Sequence, residues 1–114
     1  MHDDPMMTQV QLPYPDNIGK RRRFIAIDGR HVFMTIEDEI VHPQGNPPHT
    51  KLIYLQKLCF EEDNRTEYRF TYYMQGYKGK TRGRWVFGQY SLVLPAKELS
   101  RLLKEAKKRG WKGF

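Results

Sequence analysis

Residues 95–111, PAKELSRLLKEAKKRGW, decide the fold class. Apolar side chains recur there at positions i, i+3, i+4 and i+7, the spacing of an amphipathic helix, namely at Leu99, Leu102, Leu103 and Ala106. The pattern predicts a helix over residues 96–109 that ends at Gly110, because glycine suits the position after a helix C-terminus. Trp111 follows directly, and we expect it to fold back onto the surface that the helix covers.

The sequence ahead of this helix predicts β-strands. Asp28-Gly29 lies between two β-rich runs, which is the strongest short-range signal for a hairpin. Further strands are predicted at residues 52–60, 68–74 and 85–94, although the apolar spacing in 52–60 also fits a helical face. Short loops between consecutive strands imply antiparallel pairing. We therefore predict an α+β fold: a bent antiparallel sheet of four to five strands, covered on one face by a C-terminal amphipathic helix.

The domain boundary is predicted near residue 22. Residues 1–22 show no apolar periodicity, and Pro13 and Pro15 disfavour a helix there. We expect a flexible N-terminal tail that ends in a basic run at residues 20–23, followed by a single α+β domain at residues 23–114. Residues 42–49 contain three prolines, a glycine and an asparagine, so they are predicted to form a loop.

Composition excludes several classes of protein. No apolar run in the 114 residues approaches the length of about 18 that spans a bilayer. The first five residues are acidic and lack the apolar core of a secretory signal, so we expect a cytoplasmic protein. The single cysteine, Cys59, cannot form an intramolecular disulfide, and its apolar neighbours predict a buried, inert thiol. No cofactor, metal ligand set or catalytic residue is predicted.

Cationic and aromatic side chains are concentrated in the second half of the chain. The formal net charge is +7, and residues 65–114 carry 13 Lys and Arg against 3 Glu. Residues 65–90 also contain eight of the fifteen aromatic residues. Single-stranded nucleic acids are bound by cations that follow the phosphates and by flat rings on which the bases stack. The combination therefore predicts a non-catalytic protein that binds single-stranded DNA or RNA.

The alternation of side chains along the strands selects the binding residues. In residues 68–74 it separates an Arg- and Tyr-bearing face from an opposite face of Tyr68, Phe70, Tyr72 and Met74. Residues 76–83 are predicted to form a Gly- and Lys-rich loop, and we expect residues 77–84 to be a flexible basic finger near phosphates. The predicted nucleic-acid-binding residues are Arg69, Tyr73, Lys78, Lys80, Arg82, Arg84, Trp85 and Phe87, with Arg22 and Arg23 as an additional arm.

The end of the chain resembles a known family. Residues 88–95, GQYSLVLP, follow a basic loop and lead into the helix, which resembles the closing segment of the positive-cofactor transcriptional coactivators. The related Whirly and Pur-type modules use a similar sheet-plus-helix unit. The resemblance covers about residues 50–110 and implies a homodimer whose sheets bind single-stranded DNA or RNA. The N-terminal hairpin and the proline-rich loop at residues 42–49 depart from the family pattern.

The sequence is also compatible with two other functions. The aromatic face suits a regulator that binds an acidic protein. Alternatively, His42 and His49, or the acidic residues 61–63 and Glu67 near Arg69, suit a small metal-dependent nuclease, although such acids are equally typical of an exposed turn. The glycines at 76, 79 and 83 lack the strand-to-helix order of a phosphate-binding loop, which excludes that kind of nucleotide site.

Overall fold

A computed structural model describes residues 12–114, which form a five-stranded sheet and one C-terminal helix. The strands follow the order of the chain across the sheet, and every neighbouring pair is antiparallel. This confirms the predicted α+β fold. The elements are β1 (Arg21–Ile25), β2 (His31–Gln44), β3 (Lys51–Phe60), β4 (Thr66–Gln75), β5 (Trp85–Phe87) and α1 (Ala96–Lys108).

The sheet curls strongly toward one face. The register of β2 against β3 shifts between Ile36 and Asp38, and such a bulge bends a strand and increases its twist. As a result, Phe24 on β1 and Phe60 on β3 touch edge to face at 6.1 Å between ring centroids, although their strands are not neighbours. We call the side of the sheet that carries Phe24 and Phe60 the concave face, and the opposite side the helix face.

Each face of the sheet has its own apolar core. On the concave face, a cluster forms where β2 and β3 pair before the bulge, and it consists of Val32, Met34, Ile36, Leu58 and Phe60. On the helix face, Leu102 and Ala106 of α1 pack against Ile40, Ile53 and Leu55. The opposite placement of these clusters explains why β3 reads as a nearly continuous apolar run rather than as an alternating one.

The end of α1 is fixed to the sheet by Trp111, as predicted. Its ring stacks on Tyr68 with 5.7 Å between centroids, and its Nε1 donates a hydrogen bond to Asp38 at 3.1 Å. Arg109 also donates to the Asp38 carboxylate at 3.1 Å. Only half of the predicted apolar stripe packs on the sheet, however, because Leu99 and Leu103 remain partly exposed on the outer side of α1.

Two predicted boundaries are wrong. β5 ends at Phe87 rather than near Leu94, because Leu92 and Leu94 reach the helix-face core without pairing in the sheet. Tyr90 does not join them and lies exposed instead. β2 continues to Gln44 and so extends into the predicted loop. β1 pairs only with the first half of β2, so the second half of β2 is a sheet edge on that side, and proline is tolerated at such an edge.

Residues 12–20, here called the strap, lie across the concave face. Tyr54 donates its hydroxyl hydrogen to the carbonyl of Pro15 at 2.6 Å, and Asn17 is only 3% exposed. Gly19 then donates its N–H to the carbonyl of Ile36 at 2.7 Å, where the chain enters β1. The rest of the predicted flexible tail, residues 1–11, lies outside the described residues. No helix within residues 12–114 is long and apolar enough to cross a membrane.

Candidate nucleic-acid interface

A pocket of about 280 Å³ opens on the concave face between the strap, β1 and the last three strands. We call it the concave pocket. Five of the ten predicted binding residues contribute to its lining, so residues chosen from two separate parts of the sequence meet at one place. The pocket is lined by Asn17, Arg22, Arg23, Gln56, Arg69, Tyr73 and Phe87.

Strand register brings most of these side chains together. Gln56 on β3 pairs with Arg69 on β4, and Tyr73 on β4 pairs with Phe87 on β5. Cross-strand partners project from the same face of a sheet, and residues four apart along β4 also share a face. Arg22 reaches the pocket from β1 because the sheet curls, since β1 and β4 are separated by two strands.

The pocket carries two guanidinium groups, those of Arg22 and Arg69, that form no ion pair with a carboxylate among residues 12–114. None of the ion pairs formed among residues 12–114 involves Arg22, Arg23 or Arg69. The Arg23 guanidinium lies on the opposite face of the sheet, where it contacts Nδ1 of His31 at 3.3 Å, so Arg23 borders the pocket without placing its charge there. By contrast, Arg21 pairs with Glu61 and Arg65 pairs with Asp63. The concave pocket therefore carries two guanidiniums against one buried carboxylate, that of Glu39, and has an excess of positive charge.

Arg69 is held in place at the floor of the pocket. Its Nε donates a hydrogen bond to Oε1 of Gln56 at 2.7 Å. Burial lowers the pKa of the Arg69 guanidinium, and neighbouring Arg22 acts in the same direction, while Tyr73 and Glu39 act against both. An arginine stays protonated under these conditions, so the lowered pKa indicates a charged group that an incoming anion would stabilise.

A buried polar network connects the floor of the pocket to the strap. The Glu39 carboxylate accepts hydrogen bonds from the backbone N–H of Asn17 at 2.8 Å, from its Nδ2 at 3.2 Å and from Nε2 of Gln56 at 2.8 Å. The side-chain oxygen of Asn17 in turn accepts from Tyr73 at 3.3 Å and from Arg22 at 3.5 Å. Alternation along the strands did not reveal Asn17, but Gln56 stands out as a polar residue inside an apolar run.

Replacing Glu39 with glutamine tests whether this network holds the strap. Glu39→Gln substitutes one acceptor oxygen by an NH₂ group, which leaves a donor of Asn17 or Gln56 without an acceptor in a buried site. We expect the free energy of unfolding to fall by about 1–3 kcal/mol in urea denaturation. Glu37→Gln on the same strand is the control, since Glu37 is exposed and its contacts with Lys57 and with the Cys59 thiol lie outside the buried network. Equal losses in both variants would contradict the network.

The aromatic rings of the site differ in how much surface they offer. Tyr73 is braced edge-on between Tyr54 and Phe87, with 5.3 Å between ring centroids on each side. Trp85 lies edge-on to Tyr14 of the strap, with 6.0 Å between ring centroids, so the strap occupies part of the space beside the Trp85 ring. Phe87 is 47% exposed at the rim of the pocket. Of the three predicted stacking residues, Phe87 offers the most ring surface to a base.

The four loop cations are not part of the pocket lining. Lys78, Lys80, Arg82 and Arg84 are exposed in the connection between β4 and β5. This connection is not an extended finger, because it contains a 3₁₀ turn at Gly79–Thr81 and is closed by a hydrogen bond from the N–H of Gly76 to the carbonyl of Arg84 at 2.8 Å. The loop places its cations beside β5 rather than inside the concave face.

The residues considered for a metal-dependent nuclease do not converge. Among residues 12–114, no group of three or more His, Cys, Asp or Glu side chains is arranged to hold a metal ion. His49 packs edge-on against Tyr77 at 4.8 Å. The acids of residues 61–63 instead pair with arginines, through contacts from Arg21, Arg30 and Arg65. These acids therefore act as partners of neighbouring cations in the described structure.

Cys59 is partly exposed rather than buried as predicted. Its side chain follows the alternation of β3, in which the flanking Leu58 and Phe60 take the buried positions. A hydrogen bond with the Glu37 carboxylate raises the pKa of the Cys59 thiol, and partial desolvation acts in the same direction. Less thiolate is present at neutral pH as a result, which agrees with the predicted low reactivity.

Comparison with known proteins leaves the site to be interpreted from its own geometry. No family model, curated protein or solved structure matches the chain. The resemblance to the positive-cofactor coactivators and to Whirly and Pur-type modules therefore stays a prediction, as do the homodimer that it implies and the cytoplasmic location.

Proposed function

We propose that the protein binds single-stranded nucleic acid at the concave pocket, without a catalytic step. In this proposal Arg22 and Arg69 contact phosphate oxygens, and a base stacks on Phe87 with Tyr73 behind it. The observation that carries the proposal is the convergence of two guanidiniums, those of Arg22 and Arg69, beside the exposed ring of Phe87. Phosphates need the first feature and bases need the second.

The chemistry of arginine supports a phosphate as the ligand. Its planar guanidinium can form two parallel hydrogen bonds to phosphate oxygens, and these charge-assisted bonds are stronger than neutral ones. Arg69 is already positioned by Gln56, so little side-chain entropy is lost when an anion binds. The exposed cations Lys78, Lys80, Arg82 and Arg84 lie close to β5 in sequence and are proposed to attract the continuing strand electrostatically.

Titration of a labelled oligonucleotide at two salt concentrations tests the proposal. Two phosphate contacts predict that affinity for a thymidine or uridine 12-mer falls about seven-fold between 50 and 200 mM salt, because each contact to a single strand adds about 0.7 to the magnitude of the slope of log affinity against log salt. Arg69→Met should weaken binding about ten-fold and reduce that slope. The readout is fluorescence polarisation.

Arg101→Met is the matched control for this experiment, since Arg101 lies on α1 and pairs with Glu98 away from the concave pocket. Absence of binding at 50 mM salt would overturn the proposal. Equal losses in the Arg69 and Arg101 variants would also overturn it, because they would indicate a response to net charge alone. Competition by polyglutamate as strong as competition by unlabelled oligonucleotide would favour the acidic protein partner instead.

A further inference from the structure

We propose that the outer side of α1 binds an acidic amphipathic helix of a partner protein. The binding surface is a groove of about 470 Å³ along α1, here called the outer groove, and it is lined by side chains of the helix and by Phe114. It lies apart from the concave pocket, because α1 covers the opposite face of the sheet. The apolar surface of the groove, its shape and its charge together define the partner.

Three large apolar side chains are left uncovered in the outer groove. Leu99 and Leu103 belong to the apolar stripe that predicts the helix, yet each is 36% exposed because the sheet packs only against the other half of the stripe. Phe114 is 37% exposed beside them, and its ring is held edge-on by Tyr68 at 4.8 Å between centroids. Apolar side chains that cluster in a groove with a polar rim are typical of an interaction surface, whereas single exposed ones are ordinary.

The shape of the outer groove suits a second helix. Its helical lining consists of two neighbouring rows in which residues are four apart, namely Ala96, Ser100 and Lys104 in one row and Leu99, Leu103 and Lys107 in the other. Such rows are the ridges and grooves through which helices pack on each other. The first row begins with the small side chains of Ala96 and Ser100, which leaves a depression beside the two leucines. A partner helix that lays an apolar row into this depression would cover both leucines.

The charge of the outer groove selects an acidic partner. Both rows end in a lysine, and none of the ion pairs formed among residues 12–114 involves Lys104 or Lys107. Residues 96–114 as a whole carry seven Lys and Arg against two Glu. A second copy of this chain would bring two basic helices together, which electrostatic repulsion disfavours. Carboxylates on the partner would instead complement the lysines and fix its orientation along α1.

The test uses synthetic helical peptides and the full chain. The probe is a fluorescent peptide of about 16 residues, long enough to form a helix, with leucines along one face and glutamates along the flanking rows. One control peptide has the same composition in an order that forms no apolar face, and another carries lysine in place of glutamate. In fluorescence polarisation at low salt, we expect the amphipathic acidic peptide to bind about ten-fold or more tightly than either control.

Two adjacent lysines on α1 provide a matched pair of variants. Lys107 lines the outer groove, whereas Lys108 lies on another side of the helix, in a depression that it shares with His42. Lys107→Glu should weaken binding of the acidic peptide about ten-fold, and Lys108→Glu about two-fold or less, although both change the net charge equally. Leu103→Gln should weaken binding about five- to ten-fold through lost apolar contact. Ile27→Gln is its control, because Ile27 is fully exposed in the first hairpin. Circular dichroism verifies that each variant is folded.

Four outcomes would overturn this inference. The first is that the acidic peptide fails to bind or binds no better than its reordered control. The second is an equal loss in the Lys107 and Lys108 variants, which would show a response to net charge alone. The third is displacement of the peptide by the thymidine 12-mer, which would place the peptide in the concave pocket. The fourth is binding to phosphatidylserine vesicles, or self-association in sedimentation, that Leu103→Gln abolishes, since the groove would then belong to lipid or to a second copy. None of these results depends on oligonucleotide affinity, which Leu103→Gln should leave unchanged.

Discussion

Leu102→Ala is expected to lower the free energy of unfolding by about 2–5 kcal/mol, the cost of removing a large side chain from a packed core. Leu102 is 0% exposed and packs with Ile40, Ile53 and Leu55 in the cluster that attaches α1 to the sheet. Truncation leaves a cavity between helix and sheet that the strands cannot close without disturbing β3. Urea denaturation followed by circular dichroism measures the loss.

The neighbouring leucine supplies the control for this substitution. Leu103 is 36% exposed and lies beside Leu99 and Phe114 on the outer side of α1. Leu103→Ala removes the same atoms from a partly hydrated site and should cost about 1 kcal/mol or less. Equal losses in the two variants would show that α1 packs through a different face. At temperatures where Leu102→Ala remains folded, oligonucleotide affinity should be unchanged, because α1 lies on the face opposite the concave pocket.

The parts of the fold that the sequence predicts correctly are those set by local chemistry. Helix spacing places α1 within one residue of its observed end, and Asp28-Gly29 places the first hairpin because few other dipeptides allow that turn. The alternation of apolar residues predicts the wrong end for β5, because beyond Phe87 the side chains of Leu92 and Leu94 pack against the helix-face core although their backbone does not pair in the sheet. An apolar period of two cannot distinguish these cases, since both bury every second side chain.

The sequence predicts the residues of the candidate site as two separate groups, and the curl of the sheet brings them together. Alternation correctly places Arg69, Tyr73 and Phe87 on one face, because strand register preserves it. The sequence predicts Arg22 and Arg23 as a separate arm, whereas Arg22 meets Arg69 through a long-range bend that no local pattern encodes. The Arg23 guanidinium lies on the opposite face, beside His31. Asn17 could not be identified from the sequence for the same reason, because its partner on β2, Glu39, lies 22 residues further along the chain.

Gly88→Ala is expected to destabilise the end of the sheet that supports Phe87. A Cβ at this position would overlap the ring of Tyr72, and the ring has little freedom to move because it is 8% exposed. Its hydroxyl also accepts a hydrogen bond from the N–H of Tyr90 at 3.1 Å. Overpacking of this kind costs about 1–3 kcal/mol, and more where backbone has to shift. The N–H of Gly88 donates to the carbonyl of Tyr72, so a shift here would also weaken the pairing of β5 with β4.

A double-mutant cycle identifies the Tyr72 ring as the cause. In a Tyr72→Ala background the overlap is removed, so Gly88→Ala should cost clearly less than in the parent protein, with an interaction energy within the range of about 0.5–3 kcal/mol found for contacting residues. Additive effects would contradict the clash. Because β5 carries Phe87, Gly88→Ala should weaken oligonucleotide binding even where the protein remains folded, whereas Leu102→Ala should not. That contrast links the destabilised strand to the concave pocket and separates a local effect on β5 from a general loss of stability.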